Sequence, residues 1–213
     1  MNRIQNIPRP YLLLTVFIFL LGSCKKDDKP NNNNNDVFPT PISNFVSQGM
    51  VDSLRAVGAN VYSGTTPPIV NGIYFMHPDS CTFDNSPGNF TGTIFSDYKF
   101  KFSNQDNSLY TLLVEQKAIP SGTLSSTPVS IHISGAGNQF SIFLLRTVTP
   151  TGITVEQYNI LSGTLTSNGI QGLQNILYVR SKGSDPGNIY PPAGTIRLFV
   201  NGAPGLAANT STF

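Results

Sequence analysis

From Ile69 onward the chain alternates apolar and polar positions with a period of two. Tyr98-Lys99-Phe100-Lys101-Phe102 puts its aromatic rings on one face and its lysines on the other. Val129-Ser130-Ile131-His132-Ile133-Ser134 repeats the pattern. Clusters of turn-forming residues separate such runs, among them Asn85-Ser86-Pro87-Gly88, Gly135-Ala136-Gly137-Asn138, Ser167-Asn168-Gly169 and Asp185-Pro186-Gly187-Asn188. The pattern predicts about eight or nine strands over residues 61–213, and their short connections imply an antiparallel meander.

Some of these strands are apolar on both faces. Phe140, Ile142, Leu144 and Val148 share one face of their run, while Phe143 and Leu145 share the other. Leu173, Leu177 and Val179 oppose Ile176 and Tyr178 in the same way. A sheet with one face in water has no need of this, so a second layer must cover part of the outside. The cover is supplied upstream. Ile42, Phe45, Val46, Met50, Leu54 and Val57 recur at helical spacing within residues 41–60, with Ser43 to cap the helix and Gly58 to stop it. The expected fold is therefore all-β, preceded by one amphipathic helix, either a lipocalin-like barrel or a β-sandwich. A barrel of about eight strands has room for one small ligand. The chain has no Trp, so the Gly-x-Trp opening of lipocalins is absent, and Gly72-Ile73-Tyr74 stands where it would be.

The N-terminus follows a different pattern. Arg3 and Arg9 precede an almost purely apolar run from Tyr11 to Leu21, the layout of a secretory signal over residues 1–23. The run is shorter than the roughly 20 residues that span a bilayer. Leu21-Gly22-Ser23-Cys24 resembles the lipobox of bacterial lipoproteins, which implies cleavage before Cys24 and lipid attachment to its thiol. Lys25-Lys26-Asp27-Asp28 resembles the export signal of surface lipoproteins in Bacteroidetes-type bacteria. That resemblance implies an outer-membrane anchor facing outward, with the periplasmic face as the alternative. Residues 24–40, with Asn31 to Asn35 at their centre, form a polar tether too poor in apolar surface to order itself.

Charge and cysteine usage narrow the function classes. Removing residues 1–23 takes two of the 13 basic residues and none of the 11 acids, so the mature chain is formally neutral. The remaining Lys and Arg form no stripe, which excludes an electrostatic nucleic-acid binder. Charged residues make up 11% of the chain, against about 25% in ordinary domains, so Ser, Thr, Asn, Gln and Gly must build much of the surface. Of the two cysteines, Cys24 is assigned to lipid, which leaves Cys81 unpaired at a strand start and expected to be buried.

No catalytic constellation is visible. The two histidines are His77, expected in a loop, and His132, expected on a solvated strand face. There is no Gly-x-Ser-x-Gly elbow, and Gly135-Ala136-Gly137 lies between strands and lacks the helix a phosphate loop requires. Glu115 and Glu156 read as exposed strand residues rather than a catalytic carboxylate pair. Asp84-Asn85 and Asp185–Asn188 read as turns, so no metal and no cofactor is expected.

The segment from Val61 to Tyr74, with Tyr62-Ser63-Gly64, Pro67-Pro68 and Gly72-Ile73-Tyr74, resembles a recurring entry segment of Bacteroidetes lipoproteins, a group that brings no activity with it. Pro67-Pro68 fixes an extended approach to the first strand. Three functions remain. The first is a surface-displayed, non-catalytic binding module for a glycan or a small apolar ligand, with Tyr74, Tyr98, Phe100, Phe102, Tyr110 and Tyr158 as candidate lining residues. The second is a structural or accessory subunit of an outer-membrane uptake assembly. The third, an enzyme, lacks a visible nucleophile or acid–base pair.

Overall fold

The computed structural model describes residues 36–120, 124–125, 130–202 and 204–213. The signal segment 1–23, Cys24 and the tether up to residue 35 lie outside the described residues. Two short helices, α1 (Thr40–Ser43) and α2 (Gln48–Ala56), precede the strands. The strands are β1 (Thr65–Thr66), β2 (Gly72–Met76), β3 (Asp79–Asp84), β4 (Ile94–Phe95), β5 (Asp97–Asp106), β6 (Thr111–Ile119) and β7 (Leu124–Ser125). They continue as β8 (Ser130–Ala136), β9 (Gln139–Val148), β10 (Val155–Thr166), β11 (Gly169–Lys182), β12 (Ile196–Asn201) and β13 (Leu206–Asn209).

Eight of these strands close an antiparallel barrel in chain order: β2, β5, β6, β8, β9, β10, β11 and β13, which returns to β2. The architecture is the lipocalin-like barrel rather than the sandwich. The wall is not a simple meander throughout. β11 bends near Gly172 (φ 62°): its first residues, 169–171, pair with β13, and residues 174–178 pair with β12. β12 in turn pairs with β3, and β3 with β4. Such a branch links residues far apart in the chain, and local periodicity carries no sign of it.

Alternation decides which side chains fill the barrel. Phe100 and Phe102 on β5, Phe140, Ile142 and Leu144 on β9, and Leu161 on β10 belong to one buried cluster with Tyr74 and Leu173. The opposite faces of β9, β10 and β11 present Phe143, Tyr158, Ile160 and Ile176, which pack outside the wall against Ile42, Val46, Val51 and Leu54. The upstream segment is therefore the outer cover that the two-faced strands require.

That cover is broken where one continuous helix was expected. Ser47 is extended (φ −86°, ψ 151°), and its side chain accepts the Met50 amide, so Ser47 rather than Ser43 caps α2. The Phe45 carbonyl, drawn out of any helix, accepts the Tyr158 hydroxyl at 2.7 Å. Gly58, at φ 90°, ends α2: its amide reaches the Arg55 carbonyl, and the Ala59 amide reaches Leu54. The linker that follows is strapped to the wall. Ser141 Oγ accepts the Tyr62 amide at 2.8 Å, and Ser134 Oγ donates to the Tyr62 carbonyl at 2.6 Å. Gln174 accepts the Asn60 amide and donates to the Gly58 carbonyl. This corrects the solvated reading of the strand face that carries His132: Ser134 is buried under the strap, and His132 packs against the Phe45 ring at 5.6 Å. Among the described residues, no helix is long and apolar enough to cross a membrane.

Candidate functional site

The two ends of the barrel differ. At one end the strands are joined by tight turns, including Gly137–Asn138 between β8 and β9 and Ser167–Asn168 between β10 and β11. At the other, the longer connections 85–93, 149–154 and 183–195 gather. Long loops on a rigid barrel rim are where binding residues concentrate.

Toward that loop-bearing end polar side chains interrupt the inward register, and beyond them Val148, Val155, Leu177 and Val179 form a smaller apolar cluster with Ile153 and Tyr190. On β10, Asn159 and Gln157 share the face of Leu161, and Gln157 Nε2 donates to Asn159 Oδ1 at 3.2 Å. On β9, Arg146 stands opposite Gln157 and follows Leu144 on the inward face. On β11, Asn175 follows Leu173; on β6, Gln116 follows Val114; on β5, Tyr98 precedes Phe100, with the two rings 6.1 Å apart. On β3, Asp79 shares the face of Cys81, which lies in the barrel cluster. Gln116, Arg146, Gln157, Asn159 and Tyr98 are only partly buried. These residues form a polar belt between the apolar plug around Phe100 and Phe102 and the smaller apolar cluster at the loop-bearing end.

The belt is electrostatically uneven. Asp79 is 1% exposed, and its Oδ1 has no hydrogen-bond partner. Burial, and then the like charge of Asp97, push its carboxyl up to about 7. Burial raises the Tyr98 phenol, and the charge of Asp79 raises it further, against an opposing pull from Arg146. Burial lowers the Arg146 guanidinium, and Tyr98 offsets part of that. Asp79, Tyr98 and Arg146 thus share one field inside the wall. Asp97 is held from outside by His77, whose Nδ1 lies 2.8 Å from Asp97 Oδ2.

The six aromatic candidates separate. Tyr74, Tyr98, Phe100 and Phe102 come together inside the barrel, but Phe100 and Phe102 are fully buried in the plug, and the Tyr74 hydroxyl is tied to the Val70 carbonyl. Tyr158 lies on the outer face beneath the helices. Tyr110 ends the β5–β6 turn with φ 54°. Tyr98 alone of the six stands at the polar belt. Cys24 lies outside the described residues. Cys81 is buried and unpaired.

A concavity of about 380 Å³ opens between the 85–93 and 183–195 connections at the same end. Phe90, Tyr190, Asn188 and Arg197 line it. The Arg197 guanidinium lies 4.8 Å over the Phe90 ring and donates to Asp84 Oδ2 at 3.0 Å. Asp84 also accepts the Ser86 and Phe90 amides, and Asp185 accepts those of Ile189 and Tyr190 together with Lys182. Both carboxylates are thus spent on loop geometry rather than left open to a cation. Among the described residues no three His, Cys, Asp or Glu side chains gather as a metal site.

The belt residues Asp79, Gln116, Arg146, Gln157, Asn159 and Asn175 were not singled out by sequence reasoning. The available signal was the polar pair Gln157 and Asn159, in register with inward Leu161, on a strand whose opposite face is also apolar. Comparison with protein-family models, with curated proteins and with solved structures returns no match.

Proposed function

We propose that this protein is a lipid-anchored outer-membrane lipoprotein, displayed on the cell surface, whose barrel is a non-catalytic binding module for a small glycan held in the polar belt. The signal segment, the Leu21–Cys24 motif and the Lys25–Asp28 charges support the address. The observation that carries the binding assignment is that Gln116, Gln157, Asn159 and Arg146 are turned inward yet keep accessible surface. Their chemistry suits a saccharide. Amide side chains both donate and accept, as sugar hydroxyls do, and the partly buried Tyr98 offers an aromatic surface. A small apolar ligand is less well served, because Phe100, Phe102 and Phe140 already fill the apolar half.

The test is isothermal titration calorimetry of the mature chain carrying Cys24→Ser against neutral mono- and disaccharides. At least one is expected to bind, and Asn159→Ala to weaken it by roughly tenfold, the scale of one lost hydrogen bond in a desolvated site. No binding by any of them refutes the assignment. Labelling with radioactive palmitate, abolished by Cys24→Ser, tests the anchor, and protease shaving of intact cells tests surface display.

A second reading, an accessory subunit of an outer-membrane uptake assembly, rests on the exposed apolar side chains Ile69, Leu109 and Leu113. Co-purification of a transporter after crosslinking in intact cells, lost on Leu109→Asp, is its test.

A further inference from the structure

Asp79 is the one belt side chain that is fully buried, charged when ionised and incompletely partnered. It is 1% exposed, and its Oδ1 meets no donor. A buried carboxylate oxygen normally has a donor, because leaving it without one costs free energy that an apolar replacement avoids. The neighbouring carboxylates show what satisfied acids look like in this fold. Asp84 accepts two backbone amides and Arg197, and Asp185 accepts two backbone amides and Lys182. Asp79 sits where β2 passes into β3, opposite Phe95 and Asn201, on the inward face shared with Cys81.

We propose that Asp79 is the anchoring acceptor of the binding site: its unpartnered oxygen takes hydroxyl hydrogens of a neutral saccharide, so that ligand and proton compete for the same carboxylate. The proposal rests on the saccharide reading above and names the residue and the linkage within it. A ligand donor supplies what the empty wall does not. It stabilises the ionised form, and the displaced proton goes to solvent. Burial and the like charge of Asp97 from β5 set the balance at Asp79; Tyr98 from β5 and Cys81 from the same strand feel its charge, Arg146 from β9 acts on Tyr98, Asp84 and Arg197 act on Cys81, and His77 contacts Asp97. In the unliganded site, burial and Asp97 hold the proton on Asp79 up to about pH 7, so competition falls in an accessible range.

The test is calorimetry of the mature Cys24→Ser chain with whichever neutral saccharide binds it, at pH 6 and pH 8, each in two buffers of different ionisation enthalpy. Binding is expected to be roughly tenfold weaker at pH 6 than at pH 8, with close to one proton released per ligand at pH 6. Asp79→Asn should flatten the pH dependence and weaken binding at pH 8. Asp97→Asn should keep the dependence and move its midpoint to lower pH, and His77→Gln should keep it. The wild-type profile and proton release stand as evidence even if Asp79→Asn fails to fold. Equal affinity at both pH values without proton release overturns the proposal and leaves the saccharide reading intact. A profile that survives Asp79→Asn, or that His77→Gln abolishes, does the same. A wild-type chain that binds no saccharide overturns both.

Discussion

Truncating Phe102 to alanine distinguishes a packed plug from a ligand chamber. Phe102 is 1% exposed, and its ring lies 5.5 Å from Tyr74 and 6.4 Å from both Phe100 and Phe140. Removing a fully buried Phe side chain from such a site costs about 3–5 kcal/mol, transfer and cavity together. Within that figure, each aromatic pair lost accounts for about 0.5–1.5 kcal/mol. For a folded unit of this size each kcal/mol lowers Tm by about 2–4 °C, so Phe102→Ala is expected to lower it by roughly 6–20 °C. The chain has no Trp, so the assay is urea unfolding followed by far-UV circular dichroism, with the midpoint shifted and the slope unchanged. If Phe102 instead lined an empty apolar chamber, its ring would already lack partners on one side. A loss below about 1 kcal/mol would therefore refute the plug and reopen the barrel to an apolar ligand.

Asp84→Ala strands Arg197 and frees the Ser86 and Phe90 amides; it should cost about 3–5 kcal/mol in urea unfolding, with Asp84→Asn costing less. Ser47→Ala removes the acceptor for the Met50 amide and should cost about 1 kcal/mol; no change would place the start of α2 elsewhere. Asp79 makes stability depend on pH in the sense opposite to most acids. Its carboxyl stands near 7 when folded against an ordinary 3.8, so the native state holds the extra proton between those values. That contribution is complete below about pH 4 and is lost as pH rises through 7, by on the order of 4 kcal/mol at most. The stability difference between Asp79→Asn and wild type should therefore widen from pH 5 to pH 8 in guanidinium unfolding; a constant difference would refute it.

The alternation that revealed the strands identifies which residues share a face. It does not say which face is inside once both are covered. Tyr98, Phe100 and Phe102 could be placed together because their lysine neighbours are unambiguous: Lys101 pairs with Glu115 on the outer surface. Tyr158 offered no such contrast. Its face carries Ile160, but so does the opposing face carry Leu161, and the helices rather than the barrel claimed the tyrosine. Ser134 and His132 read as solvated because their partners, Tyr62 and Phe45, lie about 70 residues or more away in the chain. Helical spacing from Ile42 to Val57 survived as burial but not as one helix, since Tyr158 captured the Phe45 carbonyl and Ser47 restarted the turn. The belt was hidden for the same reason: Gln157, Asn159 and Asn175 are ordinary solvent-facing residue types until closure of the barrel turns them inward.

The filled apolar half gives the barrel a floor. Phe100, Phe140, Ile133 and Ile142 have no exposed surface, so no file of water, and nothing larger, passes from the loop-bearing end to the tight-turn end. The barrel is closed across its middle and is not a conduit. If the belt holds a ligand, as proposed, that ligand leaves by the end at which it entered. Transfer of such a ligand to a partner would then take place at the loop-bearing end, where the 85–93 and 183–195 connections stand.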